Sequence, residues 1–170
     1  KGLIESFNYV AGSVKMPCIL YNVPSRTGCN LTPATLAELA KHPNINAVKE
    51  ASGNISQVAE IAALCGDELN LYSGNDDITV PLMSIGGSGV ISVYANVMPA
   101  MCHQIVDDYL HGRQDQAVAN HLKYLQLMND LFLEVNPIPV KTAMNLLGLN
   151  VGPMLLPLCE MSEANAAVLR

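Results

Sequence analysis

Four short apolar runs, each followed by a stretch with helical character, constrain this chain more than any other feature. They lie at residues 18–23, 45–49, 69–73 and 89–93. All are rich in Val, Ile or Leu, and none has the strict apolar–polar alternation of a half-exposed strand. That is the pattern of strands buried on both faces of a parallel sheet. Their spacing, roughly 20 to 28 residues, fits repeated βα units. Helix signals fall between them. Thr32-Pro33 reads as an N-cap followed by Pro at the first helical position, with a helix over 35–41 that His42-Pro43 stops. Residues 56–64 form a second helix closed by Gly66, and Asp76-Asp77 put negative charge at the start of a third. The opening residues 2–10 read as an amphipathic helix, so the chain is expected to begin inside a fold.

After the fourth run the character changes. Residues 99–110, 114–133, 139–147 and 162–169 all read as helices, and no further strand-like run follows. The second of these carries Ala117, His121, Tyr124, Leu125, Met128 and Leu131 on one face. Residues 1–112 are therefore expected to form βα units and residues 113–170 a helical C-terminal extension. The fold class is α/β, either an open doubly wound sheet or half of a closed (β/α) barrel. In both, function sits where strands end and helices begin. That rule selects Tyr21 to Gly28, Lys49 to Gly53, Ser73 to Asp77 and Ser92 to Asn96.

Composition narrows the function. Half of the 170 residues are hydrophobic, enough for one ordinary core, and the net charge is −6. The nine basic residues form no run, which argues against nucleic acid or an anionic membrane as partner. No apolar stretch approaches the roughly 20 residues of a membrane span. The five cysteines are far apart and make no C-x-x-C pair, so a reducing cytoplasm is expected and a metal or disulfide framework is not. The four histidines lack metal-ligand spacing. Gly86-Gly87-Ser88-Gly89 precedes a strand, whereas phosphate-cradling loops follow one, so it reads as a tight turn.

Three residues at strand ends suit chemistry. Lys49 closes an apolar strand. Burial lowers a lysine pKa, and a neutral amine attacks carbonyls. The bland alternative is a lysine that snorkels to the sheet edge or pairs with Glu50. Tyr21 closes the preceding strand, where a phenol can relay protons; a core tyrosine bonded to a backbone carbonyl is the alternative. Arg26 lies between Pro24 and Gly28 at the mouth of the same region, and its fork suits a carboxylate, though an exposed loop arginine would look the same.

Together, Tyr21-Asn22-Val23-Pro24-Ser25-Arg26-Thr27-Gly28, Val48-Lys49-Glu50-Ala51-Ser52-Gly53, Ser73-Gly74-Asn75-Asp76-Asp77, Gly89-Val90-Ile91-Ser92-Val93 and Asn136-Pro137-Ile138-Pro139-Val140-Lys141 resemble one family. It is the dihydrodipicolinate synthase and N-acetylneuraminate lyase family of pyruvate-dependent class I aldolases. The resemblance runs in order over nearly the whole chain. It implies a (β/α)8 barrel with a helical extension, usually in a homotetramer, of which this chain holds the second half. The N-terminal half of the barrel would carry a Thr-Thr proton relay, a tyrosine lent to the neighbouring subunit and a lysine feedback site.

The resemblance further implies that Lys49 forms a Schiff base with pyruvate and Tyr21 relays protons. Arg26 would hold the carboxylate of aspartate semialdehyde, and Gly74 and the backbone of Ile91 would line the pyruvate pocket. No metal or organic cofactor would be needed. One departure is Asn75, where some members have Asp, which removes a charge near the pocket. Two other readings stay open: an aldolase of the same family acting on sialic acid or a keto-deoxy sugar acid, and an inactive fragment or half-barrel.

Overall fold

The computed structural model describes residues 1–170, and the chain divides into two compact units, Lys1–Ile91 and Ser92–Arg170. The first unit begins with helix α1 (Gly2–Gly12) and strand β1 (Cys18–Asn22), followed by helices α2 (Pro24–Thr27) and α3 (Pro33–Leu39). It continues with β2 (Ile45–Glu50), α4 (Ile55–Cys65), β3 (Asn70–Ser73), α5 (Thr79–Met83) and β4 (Gly89–Val90). The strands make one sheet in the order β1-β2-β3-β4, all neighbours parallel. Sequential, parallel order with a helical crossover after each strand is the architecture of half a (β/α)8 barrel.

The helix-facing side of the sheet supplies the core. Leu20, Val48 and Leu71 pack against Leu36 and Leu39 of α3, Val58 and Ile61 of α4, and Leu82 of α5, all almost wholly buried. Each such side chain contributes roughly 1.5–3 kcal/mol of transfer free energy. Helix starts are fixed locally. The Thr32 hydroxyl accepts from Thr35 N–H (3.3 Å), and Asn54 Oδ1 accepts from Ser56 and Gln57 N–H (3.1 and 3.2 Å) at the head of α4. The turn expected over Gly86–Gly89 lies earlier, at Ser84–Gly86, and Gly87-Ser88 lead from it into β4. A Cβ on Gly87 would lie 2.1 Å from Leu82 Cδ2, so only glycine lets the chain turn against α5.

Three further local expectations are corrected. The 24–27 segment, read as a loop, is a single helical turn with Pro24 in its first turn, closed by Gly28 in the left-handed region (φ 66°). The fourth strand ends at Val90 rather than 93. Ile91 N–H still donates to Ser73 O (2.9 Å), but the Ser92 hydroxyl accepts from Ala95 N–H (2.8 Å) and starts a 3₁₀ turn over Tyr94–Asn96. The helix expected from Asp76 opens as a 3₁₀ turn, Asp76–Ile78, before α5.

The second unit holds α6 (Pro99–Leu110), α7 (Gln114–Asp130), α8 (Ile138–Leu146) and α9 (Glu163–Val168). Its α6 packs on α7, burying Cys102, Ile105, Ala117 and Met128. Ile138, Met161 and Ala166 form a smaller cluster. The compact units part after Ile91, and α6 makes its main helix contact with α7 inside the second of them.

The core predicts a specific loss. Leu36→Ala, at a site with no solvent exposure, is expected to destabilise the full-length protein by about 2–5 kcal/mol. Urea denaturation followed by circular dichroism measures it.

Candidate active site

Side chains alternate across a strand, and the β1–β2 register turns that alternation into a site. Tyr21 pairs with Lys49 and Asn22 with Glu50, while Lys49 and Glu50 pair on the other side with Tyr72 and Ser73. Tyr21, Lys49 and Tyr72 thus share the sheet face opposite the helices. Asn22, Glu50 and Ser73 share the helix side and are buried. Lys49 Nζ sits 4.4 Å from the centroid of the Tyr21 ring, a cation–π distance that steadies the ammonium. Tyr21 itself is 46% exposed.

The Lys49 amine is tuned by its surroundings. Burial is the main cause that holds its pKa below the usual lysine value; the Asp76 carboxylate opposes that shift and the Arg26 guanidinium adds to it. Asp76 is buried at the head of the 3₁₀ turn after β3, and Arg26 is exposed on α2 after β1. The pairing of Lys49 with Glu50 does not occur. Glu50 points to the other face, where it accepts from Ser52 N–H (2.7 Å) and Asn22 Nδ2 (2.8 Å).

Gly74 and Ile91 are held in place through the main chain. Gly74 N–H donates to Glu50 O (2.7 Å), and a Cβ there would meet the Ala51 Cβ at 2.6 Å. The loop leaving β3 can lie against the end of β2 only because position 74 has no side chain. Ile91 follows β4 directly, its N–H spent on Ser73 O. All five residues selected from the sequence therefore lie in the first unit, at or just beyond the C-terminal ends of its strands. Lys141 lies in the second unit, where its Nζ donates to Pro153 O.

Asn22, Glu50 and Asp76 fall inside the strand-end segments selected from the sequence but were given no role in the site, and Tyr72 lies just before one of those segments. A signal existed for three of them. Asn22 and Glu50 each follow a selected strand-end residue, and Tyr72 lies one residue before the Ser73-Gly74 strand end. Asp76 was taken only as a helix-start charge. No cluster of three or more His, Cys, Asp or Glu side chains is placed to hold a metal ion. No helix is long and apolar enough to cross a membrane.

A parallel half-barrel with a half-buried lysine and a tyrosine paired on adjacent strand ends defines the class: a (β/α) barrel protein whose candidate site lies at the C-terminal ends of its strands. The chain belongs to the dihydrodipicolinate synthetase family, whose model matches residues 1–170. It is 56% identical over its full length to 4-hydroxy-tetrahydrodipicolinate synthase of Caldicellulosiruptor saccharolyticus (strain ATCC 43494 / DSM 8903 / Tp8T 6331), and 54% identical to the enzyme of that name from Clostridium novyi (strain NT). In both cases it spans 57% of the relative's length. Its structure superposes on the chloride-inhibited dihydrodipicolinate synthase of Acinetobacter baumannii complexed with pyruvate, with a TM-score of 0.95 at 36% identity, covering 99% of this chain and 58% of that one.

The electrostatics predict a pH response. Competitive acetylation with acetic anhydride, followed by peptide mass mapping, is expected to show Lys49 becoming reactive at lower pH than an ordinary lysine. Because Asp76 raises its pKa and Arg26 lowers it, Asp76→Asn shifts the midpoint down and Arg26→Ala shifts it up.

Proposed function

We propose that the full-length protein condenses pyruvate with L-aspartate semialdehyde to give 4-hydroxy-tetrahydrodipicolinate, through a Schiff base on Lys49, in diaminopimelate and lysine biosynthesis. The observation that carries this reading is the Lys49 amine, depressed in pKa by burial and held over the Tyr21 ring at the ends of two paired strands. Membership of the family and the pyruvate complex of the Acinetobacter relative support it.

In this mechanism the neutral Lys49 amine attacks the keto carbon of pyruvate. Tyr21 passes protons as the carbinolamine loses water to give the iminium. Loss of a methyl proton gives the enamine, whose carbon attacks the aldehyde carbon of the second substrate. The new C–C bond leaves an alkoxide, which takes a proton to become the hydroxyl. The substrate's own amine then adds to the iminium carbon and expels Lys49, closing the ring. Lysine serves as the electron sink, so the steps draw on no cofactor. Arg26 binds the aldehyde's carboxylate as a charge-assisted pair, and the backbone at Gly74 and Ile91 lines the pyruvate pocket. The five cysteines are free thiols, which supports a reducing, cytoplasmic setting. The assembly proposed is a homotetramer, with the rest of each barrel supplied by the remainder of the chain.

Borohydride reduction of the full-length protein with pyruvate is expected to add the reduced pyruvyl group to Lys49, read by peptide mass mapping. Lys49→Ala should lose the adduct and lower turnover more than about 10³-fold. Arg26→Ala should leave the adduct largely intact and raise the KM for aspartate semialdehyde about 10- to 100-fold. A protein that uses N-acetylmannosamine and not aspartate semialdehyde as acceptor is instead a sugar-acid lyase.

A further inference from the structure

Behind the paired strand ends lies a closed ring of polar side chains that the proposed chemistry does not use. Asn22 and Glu50 are each only 1% exposed. Asn22 Nδ2 donates to Glu50 Oε2 (2.8 Å) and to Asn30 Oδ1 (2.9 Å), while its Oδ1 accepts from Leu31 N–H (2.9 Å). Asn30 Nδ2 donates to Gln57 Oε1 (2.8 Å), and Gln57 Nε2 returns to Asn30 Oδ1 (3.2 Å) and reaches Glu50 Oε2 (3.5 Å). Glu50 Oε1 accepts from Ser52 N–H (2.7 Å). Every group facing the Glu50 carboxylate is therefore a donor.

We infer that Glu50 and Asn22 are a positioning pair for the reaction: their contact on the helix side of the last β1–β2 rung holds Lys49 and Tyr21 in working geometry on the other side. Asn22 and Glu50 adjoin Tyr21 and Lys49 in sequence and occupy the final register pair. Beyond that rung the two strands keep one more bond, Ala51 N–H to Asn22 O (2.8 Å). Strand ends fray where ladder bonds stop. A buried amide–carboxylate contact at this point pins the ends, and Glu50 O also anchors Gly74, bringing the β3 loop into the same construction. Neither side chain touches the reacting atoms, so both act through Lys49 and Tyr21.

The charge pattern supplies the test. Glu50→Gln places an N–H against a donor in either amide orientation. Adding Asn22→Asp reverses the polarity of the contact: Asp at 22 accepts from Leu31 N–H and from the new Gln amide, and Asn30 and Gln57 turn over to match. The inference rests on the Schiff-base reading, so the wild-type full-length protein is reduced with borohydride at timed intervals after mixing with saturating pyruvate. No adduct on wild-type Lys49 sinks that reading and this inference with it. With an adduct formed, Glu50→Gln is expected to slow the rate constant of imine formation about tenfold or more, since small displacements of reacting groups are costly. The final adduct yield per folded protein and the half-saturating pyruvate concentration are expected to stay within about twofold, because pyruvate contacts are untouched. Asn22→Asp with Glu50→Gln is expected to recover the rate to within about threefold of wild type. A purely structural role would lower the folded fraction and the melting temperature while sparing the rate constant of the folded protein. That result overturns the inference, as does a doubly substituted protein that remains slow. If Glu50→Gln alone does not fold, the double variant decides by the same rate criterion.

Discussion

The two-residue period of a β-strand, read through the parallel register of β1 and β2, is the constraint on which the rest depends. It sends Tyr21 and Lys49 to one face and Asn22 and Glu50 to the other. A slip of one residue would bury the lysine among the apolar side chains of α3 and α4 and turn Glu50 toward the phenol. The core therefore does more than stabilise. Leu20 and Val48, one residue before the Tyr21–Lys49 pair, lock the faces by burying their side chains against those helices, and the proposed chemistry inherits that choice.

The lysine stands at a balance that only this placement creates. Full burial would make an ammonium prohibitive, and full exposure would leave it protonated and poorly nucleophilic near neutral pH. Lys49 is half-buried, with desolvation lowering its pKa, one buried carboxylate opposing that and one guanidinium assisting. The opposing charges arrive from different strand ends, Asp76 after β3 and Arg26 after β1. The electrostatics of one amine thus report on the arrangement of three successive βα units, which explains why the site cannot be assembled from a single motif.

Much of this was legible in the sequence because burial leaves a compositional trace. A lysine at the end of an apolar run stands out, and so does a tyrosine at the same place one unit earlier; the four strand positions and the cap at Thr32 were equally plain. What stayed hidden were consequences of three-dimensional partnership. Glu50 beside Lys49 invites pairing in a linear reading, and only the pleat separates them. Pro24 signals rigidity, yet whether it stiffens a loop or opens a helical turn depends on Gly28 taking a left-handed conformation four residues on. The fourth strand looked five residues long because Ser92 and Val93 fit a strand by composition. A hydroxyl bonded to Ala95 N–H ended it instead.

Gly74 shows how these levels join. Its absent side chain leaves room for Ala51, its N–H is taken by the carbonyl of Glu50, and Glu50 presents its carboxylate to Asn22 on β1. One residue of β2 thereby touches both neighbouring strands, through its main chain on one side and its side chain on the other. Lys49, immediately before it, is the amine. A backbone held from both sides cannot shift without breaking bonds in two directions, and buried bonds of this kind are costly to leave unmade. The rigidity of the amine's backbone is thus set by groups that face away from it, as a site needs when its open face must admit substrate and so cannot supply its own packing.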